Sequence, residues 1–195
     1  ASARYFDYPY DEGRIRAALA GAVESASLEG YRVRLLLSED GTVECSALPF
    51  EAHAGPPLKV RLAREPVDSG DPFLYHKTTR RDLYEQAKAD FPDADDVILY
   101  NESGEITESC IANVVVLTRG RRITPPVRCG LLDGVFRREL LEQKEVSEET
   151  IDLATLRLAD KIFLINSVRQ WQEAALAPED LERSLPVRRQ ADAAG

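Results

Sequence analysis

Lys77 and Glu108 are the two residues of this sequence whose types and surroundings best suit joint chemistry. A lysine offers an amine that acts as a nucleophile, or as a general acid/base when burial lowers its pKa. A glutamate offers a fixed carboxylate. Both lie within residues 75–113, YHKTTRRDLYEQAKADFPDADDVILYNESGEITESCIAN. The apolar run Phe73-Leu74-Tyr75 leads into Lys77 as an extended segment, and a helix follows. Glu108 stands at the mouth of a second strand, beyond a hairpin-like turn at residues 101–104. This order aims an amine and a carboxylate at one pocket. Position alone carries little weight, because most lysines and glutamates are solvated surface charges.

The elements that must hold this pair can be read from local pattern. Thr79 with Asp82 three residues later has the form of a capping box. Leu83, Tyr84, Ala87 and Phe91 then fall on one helical face, and Pro92 ends the helix. Lys77 is therefore expected at a strand-to-helix junction, on a rigid scaffold. Residues 97–100 and 112–118 read as buried strands; Arg119-Gly120 turns the chain, and residues 122–124 pair back before Pro125-Pro126. Gly130 and Gly134 bracket a tight loop that opens a helix over residues 135–141. Free backbone N–H groups near Gly134, Val135 and Phe136 could hold an anion there. Residues 162–165 read as a short buried strand ending in Asn166-Ser167, a polar pair common in turns.

Ahead of these elements, a helix is expected over residues 12–28, then a hairpin of strands 31–37 and 42–48 around Ser38-Glu39-Asp40-Gly41, then a strand at 58–62. The expected organisation is an α/β subdomain over residues 1–63, a linker over 64–73 (REPVDSGDPF) and a second domain over 74–195, with a weakly structured tail after Leu181. With 195 residues and 44% apolar content, the chain can build a sizeable core. Its net charge of −9, with basic clusters scattered among acids, argues against nucleic-acid or anionic-membrane partners. Three cysteines without a CxxC pair and two distant histidines support neither a metal site nor a disulfide framework. No apolar run is long enough to span a membrane and no signal segment opens the chain, so a cytoplasmic location is expected. The absence of methionine predicts a fragment or a processed chain.

Five blocks stand in one order: HKTTRRDLY at 76–84, NESGEITESCIAN at 101–113, TPP at 124–126, GLLDGVFRREL at 130–140 and INSVRQW at 165–171. In this order the chain resembles the class IV aminotransferases, the fold-type IV enzymes that use pyridoxal 5'-phosphate. The threonine pair after Lys77, the TESCIAN block and the NSVR block resemble the 4-amino-4-deoxychorismate lyases within that family. They resemble in particular the form fused to the C-terminus of para-aminobenzoate synthase component I. The resemblance implies a mixed α/β (α+β type) fold, with a partial N-terminal α/β subdomain and a larger C-terminal pseudo-barrel domain that binds the cofactor.

It also implies roles. Lys77 would hold the cofactor covalently and then move the proton at the substrate carbon. Glu108 would face the pyridine nitrogen, and Gly134, Val135, Phe136, Asn166 and Ser167 would hold the phosphate. Thr79, Arg81 and Asn113 would support or orient. Two positions depart from the family: Asp133 replaces a proline, and is expected to cap the helix or to weaken phosphate binding, and Gln170 replaces a glycine. The implied reaction converts 4-amino-4-deoxychorismate to 4-aminobenzoate and pyruvate, a step of folate biosynthesis. The implied partners are that small substrate, a second copy in a homodimer and a fused aminodeoxychorismate synthase domain. Family members also carry a phosphate-binding arginine before the sequence that here occupies residues 1–5, so weakened cofactor binding is expected of this chain. A branched-chain or D-amino-acid aminotransferase, and a non-catalytic domain of a fusion protein, remain as alternatives.

Overall fold

Asp11 opens the first long helix: its Oδ1 accepts from Arg14 N at 3.0 Å, the cap that a short acidic side chain supplies. The computed structural model describes residues 2–24, 30–51 and 55–182. It contains two compact units, Ala1–Ala54 and Gly55–Gly195. In the first unit, α1 (Ser2–Tyr5) and α2 (Glu12–Glu24) precede an antiparallel hairpin of β1 (Tyr31–Leu37) and β2 (Val43–Pro49), with Leu35 opposite Cys45. The hairpin turn is closed by Thr42 N donating to Asp40 Oδ1 at 2.8 Å and by Gly41 at φ 81°. The last residues of the expected helix, 25–28, lie outside the described residues.

The second unit is built on an eight-stranded sheet. Its elements in chain order are β3 (Leu58–Leu62), a 3-10 turn (Pro72–Leu74), α3 (Asp82–Ala89), β4 (Asp96–Tyr100), β5 (Ile106–Ser109), β6 (Asn113–Thr118) and β7 (Arg121–Thr124). A second 3-10 turn (Val127–Cys129), α4 (Val135–Glu142), β8 (Ser147–Glu148), α5 (Leu153–Arg157), β9 (Lys161–Asn166), β10 (Gln170–Leu176) and α6 (Pro178–Leu181) follow. The strand order is β5-β4-β3-β10-β9-β6-β7-β8, and β5 also pairs with β6 through Glu108 and Asn113. That extra pairing closes six of the strands into a barrel, so Glu108 sits on the seam.

Continuous apolar runs make this possible, because central strands are covered on both faces. Val114 and Val116 of β6 join the main core with Val60, Leu62, Ile98, Tyr100, Ile106 and Leu164. Val115, pointing the other way, joins Leu140, Val146 and Ile165 beneath α4, against which Phe136, Phe163 and Trp171 pack.

Two expectations of organisation change. The strand at Leu58–Leu62 is not part of the first unit: it runs parallel to both β4 and β10 in the large sheet. Its residues Leu58, Val60 and Leu62 are all buried there, which its short apolar alternation could not reveal. Nor are residues 64–73 a linker between domains. Val67 bridges Asn101, Ser69 N donates to Glu102 Oε2 at 2.9 Å, and Asp71 with Pro72 begins the 3-10 turn. Proline and glycine there shape an ordered loop of the second unit.

Candidate active site

Lys77 is exposed on the connection between the first 3-10 turn and α3. The turn forms because Asp71 accepts from Phe73 N at 2.9 Å and Pro72 takes the first helical position. Lys77 thus follows a helical turn instead of the expected strand. The loop beneath it is tied down twice: the Ser69 hydroxyl also donates to Glu102, and Tyr75 OH donates to Ser69 O at 2.7 Å. Gly130, at φ 96°, packs so closely that an added Cβ would lie 3.1 Å from both Leu74 and the Ser69 backbone. The capping box is absent. Arg81 takes the N-cap position of α3 without a side-chain cap bond, and Asp82 instead places a charge in the first turn, where the helix dipole favours it.

Glu108 is buried in β5, at 5% exposure. Tyr84 OH donates to its Oε1 at 2.8 Å, and Leu132 N donates to its Oε2 at 3.2 Å. Burial pushes the Glu108 carboxyl up to about 7, against the downward pull of the two hydrogen bonds and of the Lys77 and Arg81 charges. Arg81 donates through Nη2 to Cys110 O and lays its guanidinium over the Tyr84 ring, 4.6 Å from the centroid.

The third part of the site is the start of α4. Gly134 is its N-cap residue, with extended backbone and no side-chain cap, so the first-turn N–H groups have no intrahelical partners. Asn113, opposite Glu108 in the sheet, donates through Nδ2 to Leu132 O at 2.8 Å. Its Oδ1 lies 2.2 Å from where a Cβ on Gly134 would sit, so only glycine fits. The 131–134 loop therefore hangs from the barrel seam by Leu132, its N–H on Glu108 and its C=O on Asn113. Val135 is 70% exposed, while Phe136 packs edge-on to Trp171 with centroids 6.3 Å apart. Asp133 does not cap α4; it pairs with Arg138 at 2.7 Å and with Arg137 at 3.3 Å.

Asn166 and Ser167 lie at the β9–β10 turn, Ser167 exposed. Asn166 Nδ2 donates to Ile111 O at 3.3 Å, which brings this turn to the connection just after Glu108. Its Oδ1 accepts from Val168 N at 3.0 Å and Arg169 N at 2.8 Å. Gln170 closes the turn at φ 54°. Arg81 and Asn166 thus bond the connection just after Glu108, and Asn113 bonds the Leu132 loop beside Gly134, whereas Lys77 and Thr79 are exposed residues of the connection before α3. Sequence reading passed over Tyr84, taken as one more apolar residue of its helix face, although a phenol on such a face needs a partner for its hydroxyl. Arg137, which with Arg138 forms one of the scattered basic clusters whose expected place is a solvated face, is instead 1% exposed and donates to Pro125 O at 2.8 Å and to Glu148. The only sequence signal for Arg137 was its i,i+4 spacing from Asp133.

The sequence profile of amino-transferase class IV matches residues 1–176. A Schizosaccharomyces pombe protein provisionally named aminodeoxychorismate lyase is 33% identical over 179 residues, covering 87% of this chain and 77% of that protein. The aminodeoxychorismate lyase of Saccharomyces cerevisiae is 24% identical over 187 residues, but the match spans only 49% of its length and 71% of this chain. A crystal structure from Mesorhizobium loti, provisionally named an amino-acid aminotransferase, superposes with a TM-score of 0.85 at 38% identity, covering 90% of this chain and 86% of that one.

Proposed function

The chain belongs to the amino-transferase class IV family, whose members are pyridoxal-phosphate-dependent enzymes, and from that premise we propose that it converts 4-amino-4-deoxychorismate to 4-aminobenzoate and pyruvate. The observation that carries the reading is the seam of the barrel, where a buried Glu108 accepts both from Tyr84, on the helix that follows the Lys77 connection, and from Leu132, on the loop that opens α4.

These residues fit the cofactor. Lys77 offers an exposed amine, and Glu108 keeps acceptor capacity beyond its two hydrogen bonds, since a carboxylate has about four lone-pair sites. Gly134, the N-cap of α4, brings no side chain to bond the free first-turn N–H groups of that helix, an arrangement that suits a phosphate. When bound, pyridoxal phosphate supplies a carbonyl that condenses with amines and an electron sink for the bonds broken next to it. Lys77 would hold it through its amine, and as a general base would take the proton from the substrate carbon that carries the amino group. Glu108 binds the ring nitrogen and favours its protonated form by opposite charge. The Val135 and Phe136 amides, with Asn166 and Ser167, hold the phosphate, while Asn113 and Arg81 keep the surrounding loops in place. Cleavage of the ring carbon–oxygen bond would release the enolpyruvyl group, which takes up a proton in place of the one removed at carbon and so becomes pyruvate, leaving the aromatic amine.

The test is borohydride reduction after incubation with pyridoxal phosphate, mapped by mass spectrometry, followed by an assay for 4-aminobenzoate. Label on Lys77 together with product formation is expected. A folded chain without label on Lys77 would overturn the reading, and would favour a non-catalytic domain. The likeness to the Mesorhizobium loti structure supports a second reading, amino transfer to a keto acid. Label on Lys77 with keto-acid-dependent transfer and no 4-aminobenzoate would select it.

A further inference from the structure

We infer that Tyr84 is a positioning residue, its hydroxyl fixing the Glu108 carboxylate for the ring nitrogen of the bound cofactor while Arg81 holds the phenol in place. The inference rests on the cofactor reading above. It starts from a difference between the donors on Glu108. One oxygen is held by the backbone amide of Leu132 and the other by the Tyr84 hydroxyl, so a single side chain decides whether the carboxylate is held at both ends. With both donors in place the carboxylate cannot rotate, and one lone pair on each oxygen remains for a third donor.

The phenol is itself constrained from the strand it serves. Arg81 spans from the Tyr84 ring, at 4.6 Å, to the carbonyl of Cys110, two residues beyond Glu108. The Cys110 thiol returns a contact to Tyr84 O at 3.5 Å. The start of α3 is therefore cross-tied, at Arg81 and at Tyr84, to Cys110 just past the end of β5. Besides Tyr84, the charged groups felt at Glu108 are Lys77 and Arg81, both cations that hold it towards its ionised form. A merely structural tyrosine would need its ring in this place and would gain little from the hydroxyl.

Tyr84→Phe keeps the ring and the Arg81 stack and removes one O–H. In the cofactor-free protein, the carboxyl 13C resonance of Glu108, assigned by its loss in Glu108→Gln, is expected to titrate about tenfold more readily towards the protonated form in Y84F than in the wild type. Cofactor affinity, read by quenching of Trp171, is expected to fall about tenfold. The visible absorbance of the bound cofactor should change its pH dependence, and Y84F in an E108Q background should lose nothing further. Should Y84F fold poorly, 3-fluorotyrosine placed at position 84 keeps the ring and strengthens the donor, and the Glu108 midpoint is then expected to move down. Label on Lys77 with an unmoved Glu108 titration and unchanged affinity would overturn the role of Tyr84 alone. No label on Lys77 in the wild type would remove the cofactor reading and this inference with it.

Discussion

A carboxylate buried like Glu108 makes folding depend on pH. Folding raises its pKa from 4.5 to about 7, so between those values the folded protein keeps a proton that the unfolded chain has released. Stability linked to this group is fully present below the lower value and is lost as pH rises through the upper one, by up to about 3 kcal/mol. Glu108→Gln cannot titrate. In urea unfolding of the cofactor-free protein, the wild type is expected to lose stability between about pH 5 and about pH 8 relative to E108Q; parallel profiles would show that Glu108 is not buried as described. The types of Lys77 and Glu108, and their place in ordered blocks, were legible without a structure. Their partners were not: Tyr84 and the Leu132 amide meet Glu108 only because α3 and the 131–134 loop fold onto one strand.

At the scale of elements, the junction between α4 and the barrel is where packing and binding depend on the same atoms. Gly134→Ala would place a Cβ 2.2 Å from Asn113 Oδ1, and Asn113 cannot swing away without releasing Leu132 O. A loss of about 1–3 kcal/mol is expected, from crowding and the displaced loop. Because both residues act on one loop, G134A combined with Asn113→Ala should cost less than the sum of the single changes; strict additivity in denaturant unfolding would disconnect them. The β9–β10 turn gives the opposite case. Gln170 holds φ 54°, where a residue with a Cβ is strained, so Gln170→Gly is expected to stabilise the fold by about 0.5–1 kcal/mol, read as a rise in the denaturation midpoint. The hairpins around residues 38–41 and 101–104 were legible from glycine and acidic turn residues, as was the helix opened after Gly134. Strand β10 and helix α5 were not. The first carries a charged and amide-rich alternation, and the second is a five-residue helix whose Asp152 cap, accepting from Thr155 N at 2.7 Å, is a short-range signal without a long periodic run behind it.

Across the whole molecule, burial is divided unevenly between the two units. In Ala1–Ala54, Ala22 is the one described residue with a buried hydrophobic side chain, and the hairpin strands alternate between half-buried and exposed positions. In Gly55–Gly195, by contrast, β4, β5 and the first four residues of β6 are buried without a break. The contrast follows from sequence: β4 and β6 are β-branched and aliphatic runs, whereas β1 and β2 interleave arginine, glutamate and serine. What the sequence pattern could not fix was where one unit stops, because Leu58–Leu62 is the next strand after the hairpin and finds its partners only farther along the chain, in β4 and β10. Local opening costs least where few apolar side chains are buried. Amide hydrogen exchange of the cofactor-free protein is therefore expected to be fastest in β1 and β2 and slowest in β4, β6 and β9, with Lys77's connection between these extremes. Pyridoxal phosphate should then slow exchange at the start of α4 and along the Lys77 connection while leaving β1 and β2 unchanged. Equal protection of β1 and β6 without cofactor would mean that the first unit draws its stability from contacts other than its own.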